Sequence, residues 1–236
     1  MKKYIYKRCL LSLSMSLTKK NDFIEIEFIG RVKDGEVFDT NVPSEAKKIG
    51  IKLDEYPLVV CIGKGMVIEG LDSDLSGKEI SKEYQIEIPY EKAFGPRIRE
   101  LVRLIPKNLF LEQKVNPKPG MTLALDNNLV KIVSVSGGRV LCDFNSPLAG
   151  KAIIYNFKIK KVVDDNKEKV NSLLDFFLRK RLKFEINENK VIFDESAAYK
   201  SLIDMLNEKF KDVLCMEMVL KEEAGEKDGK NPQGKI

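Results

Sequence analysis

The 236-residue chain contains no histidine, and this absence excludes several kinds of chemistry. Histidine is the usual general base at neutral pH and the commonest metal ligand in proteins. Catalytic sites of the Ser-His-Asp and Cys-His types are therefore impossible, and histidine-rich metal sites are excluded as well. We expect a protein that needs no metal ion and no cofactor.

Cysteine is scarce, and its four positions, Cys9, Cys61, Cys142 and Cys215, lie far apart in the sequence. No two of them have the CxxC spacing that is typical of a redox pair or a zinc site. Isolated cysteines usually behave as small apolar side chains. We interpret them as reduced and structural, which predicts a cytoplasmic location.

The chain also lacks a long apolar run and a strong excess of charge. No stretch approaches the ~18–20 apolar residues that cross a bilayer. The net charge is only +5, because 36 acidic residues nearly balance 41 basic ones. We therefore expect no nucleic-acid or membrane partner. A binder of either kind that uses the basic segment 1–20 is an alternative, although Met15 is itself a possible start.

Alternating apolar residues predict the strands of one sheet. Residues 22–30 alternate strictly, Asp34-Gly35 is typical of a hairpin turn, and further strands are predicted for 58–62, 84–88 and 155–159. A polar loop is expected over 41–56 and a helix over 67–75. The acidic residues of that helix are interpreted as its solvated face. They are Glu69, Asp72 and Asp74.

Residues 97–146 differ from their surroundings, because prolines and glycines separate short apolar runs. This pattern is typical of a small β-unit, inserted here into the first sheet. A unit of about 50 residues buries little surface, so some of its apolar residues are expected to stay exposed and to bind unfolded chains. The apolar residues expected to build it are Leu109, Phe110, Leu111, Val115, Met121, Leu123 and Leu125.

The carboxy-terminal part predicts a third unit. A helical stripe follows residue 166, a hairpin surrounds 187–189, a second amphipathic helix covers 195–211, and a last strand covers 214–220. This αββαβ order indicates an α+β unit. The unit is either a plain structural appendage or a surface for dimerisation or client capture through a sheet edge or a helix face. We favour a homodimer.

Five short motifs, in this order and spacing, point to one family. They are Glu27-Phe28-Ile29-Gly30, Gly35-Glu36-Val37-Phe38-Asp39, the glycine-bracketed run 63–71, Ala93-Phe94-Gly95 and Tyr155-Asn156-Phe157-Lys158-Ile159. The set resembles the FKBP-type peptidyl-prolyl cis-trans isomerases. The insertion after Gly95, together with Leu71 where many members carry tryptophan, resembles the SlyD-like branch with its insert-in-flap domain. The whole layout is similar to the long-chain archaeal FKBP isomerase-chaperones.

The resemblance implies a proline pocket and a role for some of its residues. The catalytic residues would be Asp39, Phe38 and Phe94, and Leu71 would form the pocket floor. The substrate-binding residues would be Phe28, Leu58, Val60, Val67, Ile68, Leu71 and Tyr155. The backbone N–H of Ile68 would donate to a substrate carbonyl. Phe28 and Phe94 replace the tyrosines of the family pattern, which puts macrolide binding in doubt. Asp39 has an alternative interpretation as a cap of the following loop.

These observations predict a mainly β, α+β protein with an FKBP-like half-barrel sheet and a short helix. The expected division is a flexible extension 1–21, an isomerase domain 22–96 plus 147–163, an insert-in-flap chaperone domain 97–146, an α+β domain 164–221 and a flexible tail 222–236. The resemblance implies an isomerase of X-Pro bonds that also acts as a chaperone for unfolded polypeptides. The alternative is a non-catalytic holdase that only binds apolar segments.

Overall fold

The computed structural model describes residues 17–125, 128–194 and 199–221, which form three sheets and five α-helices. The strands are β1 (Phe23–Val32), β2 (Val37–Thr40), β3 (Val59–Cys61), β4 (Glu83–Ile88), β5 (Val102–Pro106), β6 (Thr122–Leu125), β7 (Asn128–Ser136), β8 (Arg139–Asp143), β9 (Ile153–Val162), β10 (Phe184–Asn187), β11 (Lys190–Phe193) and β12 (Glu217–Leu220). The helices are α1 (Pro43–Ile49), α2 (Glu69–Asp74), α3 (Lys107–Glu112), α4 (Asn166–Leu178) and α5 (Lys200–Leu214). The predicted α+β class is confirmed.

The first sheet is antiparallel, with the strand order β2-β1-β9-β4 and with β3 paired to the start of β1. Ile24, Ile26 and Phe28 of β1 are buried, whereas the intervening Glu25 and Glu27 are partly exposed. Strand β9 lies between β1 and β4, although a long stretch of chain separates it from both. The chain therefore returns to its first sheet after the insert, as the alternating patterns predicted.

The prediction of a polar loop over 41–56 is wrong in part, because α1 occupies its first half. Pro43 stands in the first turn, where a missing N–H leaves no hydrogen bond unmade. Glu45 lies near the positive end of the helix dipole, and Lys47 lies near the negative end. Gly50 then ends the helix with φ at 73°. The charged residues that resembled a loop are the exposed face of this helix.

The insert forms a second sheet of its own, with the order β5-β8-β7-β6. Its core is small, because it contains five fully buried side chains. They are Phe110, Val130, Ile132, Val140 and Cys142. Of the apolar residues predicted to build this unit, three are exposed to solvent. They are Leu109, Leu111 and Met121.

The carboxy-terminal unit has the predicted αββαβ order. Strands β10 and β11 form an antiparallel hairpin, and β12 pairs parallel with β11 after α5 crosses over. Asp165 caps α4, since its carboxylate accepts the Glu168 N–H at 2.9 Å. Helix α5 continues to Leu214, and Cys215 ends it in a left-handed conformation with φ at 56°. The last strand therefore begins at Glu217, three residues later than predicted.

This unit shares a hydrophobic core with the first sheet. Phe23, Cys61 and Val163 of the first unit are buried in the same cluster as Leu173 of α4 and Phe210 of α5. A shared core holds two units together far more firmly than a linker does. The carboxy-terminal unit is therefore packed firmly against the first sheet, which leaves both of its predicted roles open.

The predicted flexible extension over 1–21 cannot include its last residues. Thr18 is buried, and its hydroxyl donates to the Leu75 carbonyl at 2.6 Å. Leu17 forms a β-bridge with Glu79. Residues 1–16, with the basic segment and Cys9, lie outside the described part of the chain, as does the tail predicted for 222–236.

The described part of the chain contains no helix that is both long enough and apolar enough to span a membrane. Cys61 and Cys142 are buried free thiols, and burial raises the pKa of Cys61 to about 11, so this thiol stays protonated at neutral pH. Cys215 is exposed, which corrects the interpretation of all the cysteines as buried structural groups.

Candidate active site

Three aromatic rings meet above the first sheet, and they come from three separate segments. Phe38 of β2 lies edge-on to Tyr155 of β9, with ring centroids 6.2 Å apart at 87°. Phe94, which follows the 3₁₀ turn Tyr90–Lys92, lies 5.7 Å from Phe38 at 83°. Edge-to-face packing of this kind holds the rings at fixed angles. We call this set of rings, together with the apolar residues that pack around it, the cup.

The remaining apolar residues of the predicted pocket belong to the same hydrophobic cluster. Its interior is formed by side chains that are fully buried. They are Phe28, Val60, Leu71 and Tyr155. The other predicted residues are partly exposed and form its rim. They are Phe38, Leu58, Val67, Ile68 and Phe94. The structure therefore brings together all nine apolar residues, although they are spread from residue 28 to residue 155.

Gly30 is essential to this arrangement and was not among the predicted site residues. A Cβ atom at this position would lie 2.9 Å from Tyr155 Cε1 and 3.1 Å from Phe38 Cζ. Both rings therefore rest directly on the backbone of β1, where only glycine leaves room for them. The Glu27-Phe28-Ile29-Gly30 motif contained this residue, but a strand pattern alone does not reveal what packs over it.

Asp39 directly follows Phe38, is partly buried, and lies near enough to Tyr155 for its charge to act on that phenol. Burial raises the pKa of this carboxyl group, and the Thr40 N–H partly offsets that effect. Burial also raises the pKa of Tyr155, with a smaller contribution from the Asp39 charge, so the phenol stays neutral. The site thus contains one partly dehydrated carboxylate beside an uncharged aromatic wall.

The alternative of Asp39 as a loop cap keeps some support from the Thr40 N–H, but neighbouring side chains hold the loop as well. Thr40 Oγ1 donates to the Phe28 carbonyl at 2.7 Å and accepts the Val42 N–H at 3.0 Å. Asn41 accepts the Phe28 N–H at 2.7 Å through Oδ1. These bonds anchor the end of β2 to β1 and hold Asp39 in place beside the rings.

The turn before α2 is held by Asp72, which corrects the prediction of a solvated acidic face. Asp72 is buried, and its two carboxylate oxygens accept the Gly63 N–H at 2.8 Å and the Gly65 N–H at 2.9 Å. The helix begins at Glu69, two residues later than predicted, and leaves Ile68 extended. Among the described residues no group accepts the Ile68 N–H, so this donor is free at the rim of the cup.

A cavity of about 480 Å³ adjoins this region, between the segment 54–60 and α4. Leu58 and Val60 line it as well as the cup. Arg181 reaches across it, with its guanidinium 3.3 Å from the centre of the Tyr56 ring and paired to Asp175. In the described ranges there is no group of three or more Cys, Asp or Glu side chains that could hold a metal ion.

Comparison with protein families gives two matches. The family described as FKBP-type peptidyl-prolyl cis-trans isomerase matches residues 16–118. The family described as FKBP26, IF domain, matches residues 103–148, which coincides closely with the second sheet.

Individual relatives agree with these matches. The chain is 35% identical over 151 residues to a short-type peptidyl-prolyl cis-trans isomerase of Methanocaldococcus jannaschii, covering 63% of this chain and 96% of that protein. It is 28% identical over 141 residues to the FKBP-type isomerase SlyD of Aeromonas hydrophila, covering 59% of this chain and 61% of that protein. SlyD of Treponema pallidum is 26% identical over 157 residues, with 64% and 81% covered.

Proposed function

Because the chain belongs to the FKBP-type peptidyl-prolyl cis-trans isomerase family, we propose that the cup formed by Phe38, Phe94 and Tyr155 is where it rotates X-Pro bonds. The observation that carries this proposal is the packing of the Phe94 and Tyr155 rings against Phe38, beside a half-buried carboxylate, Asp39. Proline has no N–H, so an apolar hollow can enclose its ring without leaving a donor unpaired.

The reaction is a rotation, and the cup lowers its barrier by differential binding. Twisting an X-Pro bond costs about 18–20 kcal/mol because amide resonance is lost at the half-turn. The twisted amide is less dipolar than the planar one, so water stabilises it less. A dry aromatic site reverses that preference and binds the twisted form more tightly. No covalent bond forms and no proton moves.

Polar groups at the rim orient the substrate. The free Ile68 N–H is suited to donate a hydrogen bond to a client carbonyl beside the proline. We assign Asp39, as the partly buried acidic group at the rim, an electrostatic and positioning role without proton transfer. Leu71 closes the floor and excludes water. Phe28 and Phe94 complete the wall but donate no hydrogen bond, so orientation depends on the backbone.

We expect Asp39→Ala and Phe94→Ala each to lower kcat/KM on a short X-Pro peptide by about tenfold. The first change removes the rim charge, and the second removes a ring whose aromatic contacts stabilise by about 1 kcal/mol. A protease-free isomerisation assay measures both. The wild-type rate should also fall as the pH drops through the raised pKa of Asp39, whereas the rate of Asp39→Ala should not.

Two results would contradict this assignment. Wild-type rates in both variants would show that the cup takes no part in isomerisation. A full-length chain with no activity on the peptide, but with undiminished binding of unfolded protein, would favour the holdase alternative. Lys82→Ala serves as a control, because Lys82 is exposed and its ion pair with Glu79 lies outside the cup.

The insert supports a second part of the proposed function, the capture of unfolded clients. Seven of the twelve large apolar side chains that are exposed in the described ranges lie within residues 97–146. Leu104 of β5 is 59% exposed and Leu129 of β7 is 60% exposed, beside the buried Val130. Exposed apolar surface of this density is typical of a site that binds other polypeptide chains. We assign residues 97–146 to client binding and residues 22–96 plus 147–163 to isomerisation.

The carboxy-terminal unit is proposed to form a homodimer. Its sheet has the order β10-β11-β12, which leaves β10 and β12 as edge strands, and Met205 on α5 is 68% exposed. Edge strands and exposed apolar helix faces are typical of self-association. We expect light scattering at micromolar concentration to give twice the mass of the chain. A monomer mass would contradict this proposal.

The proposed location is the cytoplasm. Cys61 and Cys142 are buried as free thiols, and Cys215 is exposed and unpaired. Thiols of this kind persist in reducing compartments, where unfolded polypeptides with X-Pro bonds are also produced. The proposed partners are such polypeptides, without a nucleic acid or a membrane.

A further inference from the structure

The insert joins the isomerase sheet through two neighbouring segments, which we call the neck. The first segment, 95–98, leaves the sheet just after Phe94, and the second, 143–150, returns to it before β9. The Gly150 N–H donates to the Gly95 carbonyl at 2.8 Å, so the two segments lie side by side. Any covalent constraint on the orientation of the insert therefore acts through the neck.

Three side chains connect the two segments. Asn145 forms a paired contact with Ile98, since its Oδ1 accepts the Ile98 N–H at 2.8 Å and its Nδ2 donates to the Ile98 carbonyl at 2.9 Å. Asp143 Oδ1 accepts the Asn145 N–H at 3.0 Å and the Asn145 Nδ2–H at 2.7 Å. The other carboxylate oxygen, Oδ2, is ion-paired with Arg97. Asp143, Asn145 and Arg97 are the neck cluster.

Two of the three side chains of the neck cluster are buried. Asp143 and Asn145 are both almost inaccessible to solvent. Burial alone would raise the pKa of Asp143, but the hydrogen bonds from Asn145 and the charge of Arg97 outweigh it and hold the pKa below its ordinary value. A buried carboxylate that is fully bonded resists displacement, because each broken bond leaves a buried acceptor unsatisfied.

No hydrophobic core shared with the first sheet fixes the orientation of the insert. The buried cluster around Phe110 and Val130 contains no residue of the cluster around Leu71 and Tyr155, within the ranges that the structure describes. The carboxy-terminal unit differs, because its core is continuous with that of the first sheet. We therefore attribute the orientation of the insert relative to the first sheet to the hydrogen bonds and the ion pair of the neck.

We propose that the neck cluster is a positioning device, which fixes the direction of the client-binding insert so that a captured chain presents its X-Pro bond to the cup. The inference rests on the proposed division of work between insert and cup. Holding a bound client near a second site raises its effective concentration there only if the geometry lets both sites engage at once. The neck cluster supplies that geometry, and it takes no part in the rotation.

The test is Asn145→Ala, assayed in three ways on the full chain. We expect isomerisation of a short X-Pro peptide to stay within about twofold of wild type, since the cup is untouched. Affinity for a permanently unfolded protein should also stay within about twofold, since the exposed residues of the insert are untouched. Catalysed refolding of a proline-limited protein client should fall by at least about fivefold, since capture and rotation no longer coincide.

Arg97→Ala and Arg97→Lys keep the test valid if Asn145→Ala does not fold. The Arg97 side chain is 58% exposed, so its loss leaves both cores intact. We expect Arg97→Ala to slow protein refolding and Arg97→Lys to restore part of the rate, since lysine keeps the charge. Lys82→Ala is again the control, because it breaks an exposed ion pair with Glu79 that lies outside both the cup and the neck, and it should leave refolding unchanged.

A distance measurement reads the orientation directly. Cys215 is exposed in the unit that shares the core of the first sheet, so it takes a spin label that reports on that body. A second label at Leu111→Cys reports on the insert, with Cys9 replaced by serine. The distance distribution should broaden in Asn145→Ala and Arg97→Ala and stay narrow in Lys82→Ala.

Two outcomes separate the failure of this inference from the failure of the proposed function. If folded Asn145→Ala and Arg97→Ala refold the client at the wild-type rate, while removal of the insert abolishes that activity, the neck inference alone is wrong. If removal of the insert also leaves refolding unchanged, the division of work between insert and cup is wrong, and the neck inference falls with it.

Discussion

Removing residues 97–146 is expected to slow the catalysed refolding of a proline-limited protein by about 10²-fold, while isomerisation of a short peptide stays near the wild-type rate. Binding of the client to the insert turns its encounter with the cup into an intramolecular event, and such linkage is worth about 10²–10⁴-fold. A short peptide gains nothing from the insert, because it reaches the cup by diffusion.

The shortened protein should fold, for two structural reasons. The core around Leu71 and Tyr155 contains no buried residue of the insert. The Gly150 N–H and the Gly95 carbonyl are hydrogen-bonded at 2.8 Å, so a short glycine linker can join the two cut ends. Folding is checked by thermal melting, and refolding is followed by client fluorescence. An unchanged refolding rate in a folded deletion variant would show that the exposed apolar residues of the insert do not capture clients.

Gly30→Ala is expected to reduce peptide isomerisation by at least about tenfold without touching the substrate. The new methyl group would lie 2.9 Å from Tyr155 Cε1 and 3.1 Å from Phe38 Cζ. Strand β1 is hydrogen-bonded on both sides, to β2 and to β9, so the backbone cannot move away and the rings must tilt. Overpacking of this kind costs about 1–3 kcal/mol, and a wall that moves by a fraction of an ångström no longer fits the twisted amide.

Gly35→Ala is the matched control for that variant. Gly35 lies in the turn of the same hairpin, where a Cβ atom would meet Val32 at a similarly short 3.0 Å but would touch no ring of the cup. We expect this variant to lose a little stability and to keep its activity. Equal losses of activity in both variants, measured well below their melting temperatures, would mean that Gly30→Ala acts through general destabilisation and not through the rings.

Much of the fold could be predicted because it follows from local patterns of apolar and polar residues. The strict alternation around Ile24 and Ile26 reflects a strand with one face in the core, and that energetic preference acts residue by residue. The same holds for the αββαβ order, in which helical stripes and a hairpin follow one another along the chain. The nine apolar residues of the cup were also predicted, although only through resemblance to a family.

The failures share a different cause. Asp72 was predicted to face solvent, because its charge and helical position favour that, yet the N–H groups of Gly63 and Gly65 converge on it. Helix α1 was missed for the opposite reason: its capping signals at Pro43 and Gly50 were present, but its charged surface resembled a loop. Patterns of polarity describe which side chains prefer water and do not reveal which polar groups find partners inside.

The amino-acid sequence by itself determined the alternating strands and set the insert apart by its composition, whereas the residues of the cup were predicted through resemblance to a family. Only the tertiary structure decided that two aromatic rings pack on Gly30 and that the carboxy-terminal unit shares the core of the first sheet. It also decided that Asn145 hydrogen-bonds the two segments of the neck to each other. The physical reason is the separation in sequence between the residues that interact. Hydrophobic periodicity is a property of neighbours along the chain, whereas the Asn145–Ile98 bonds join residues 47 positions apart, and their geometry exists only once the chain has folded.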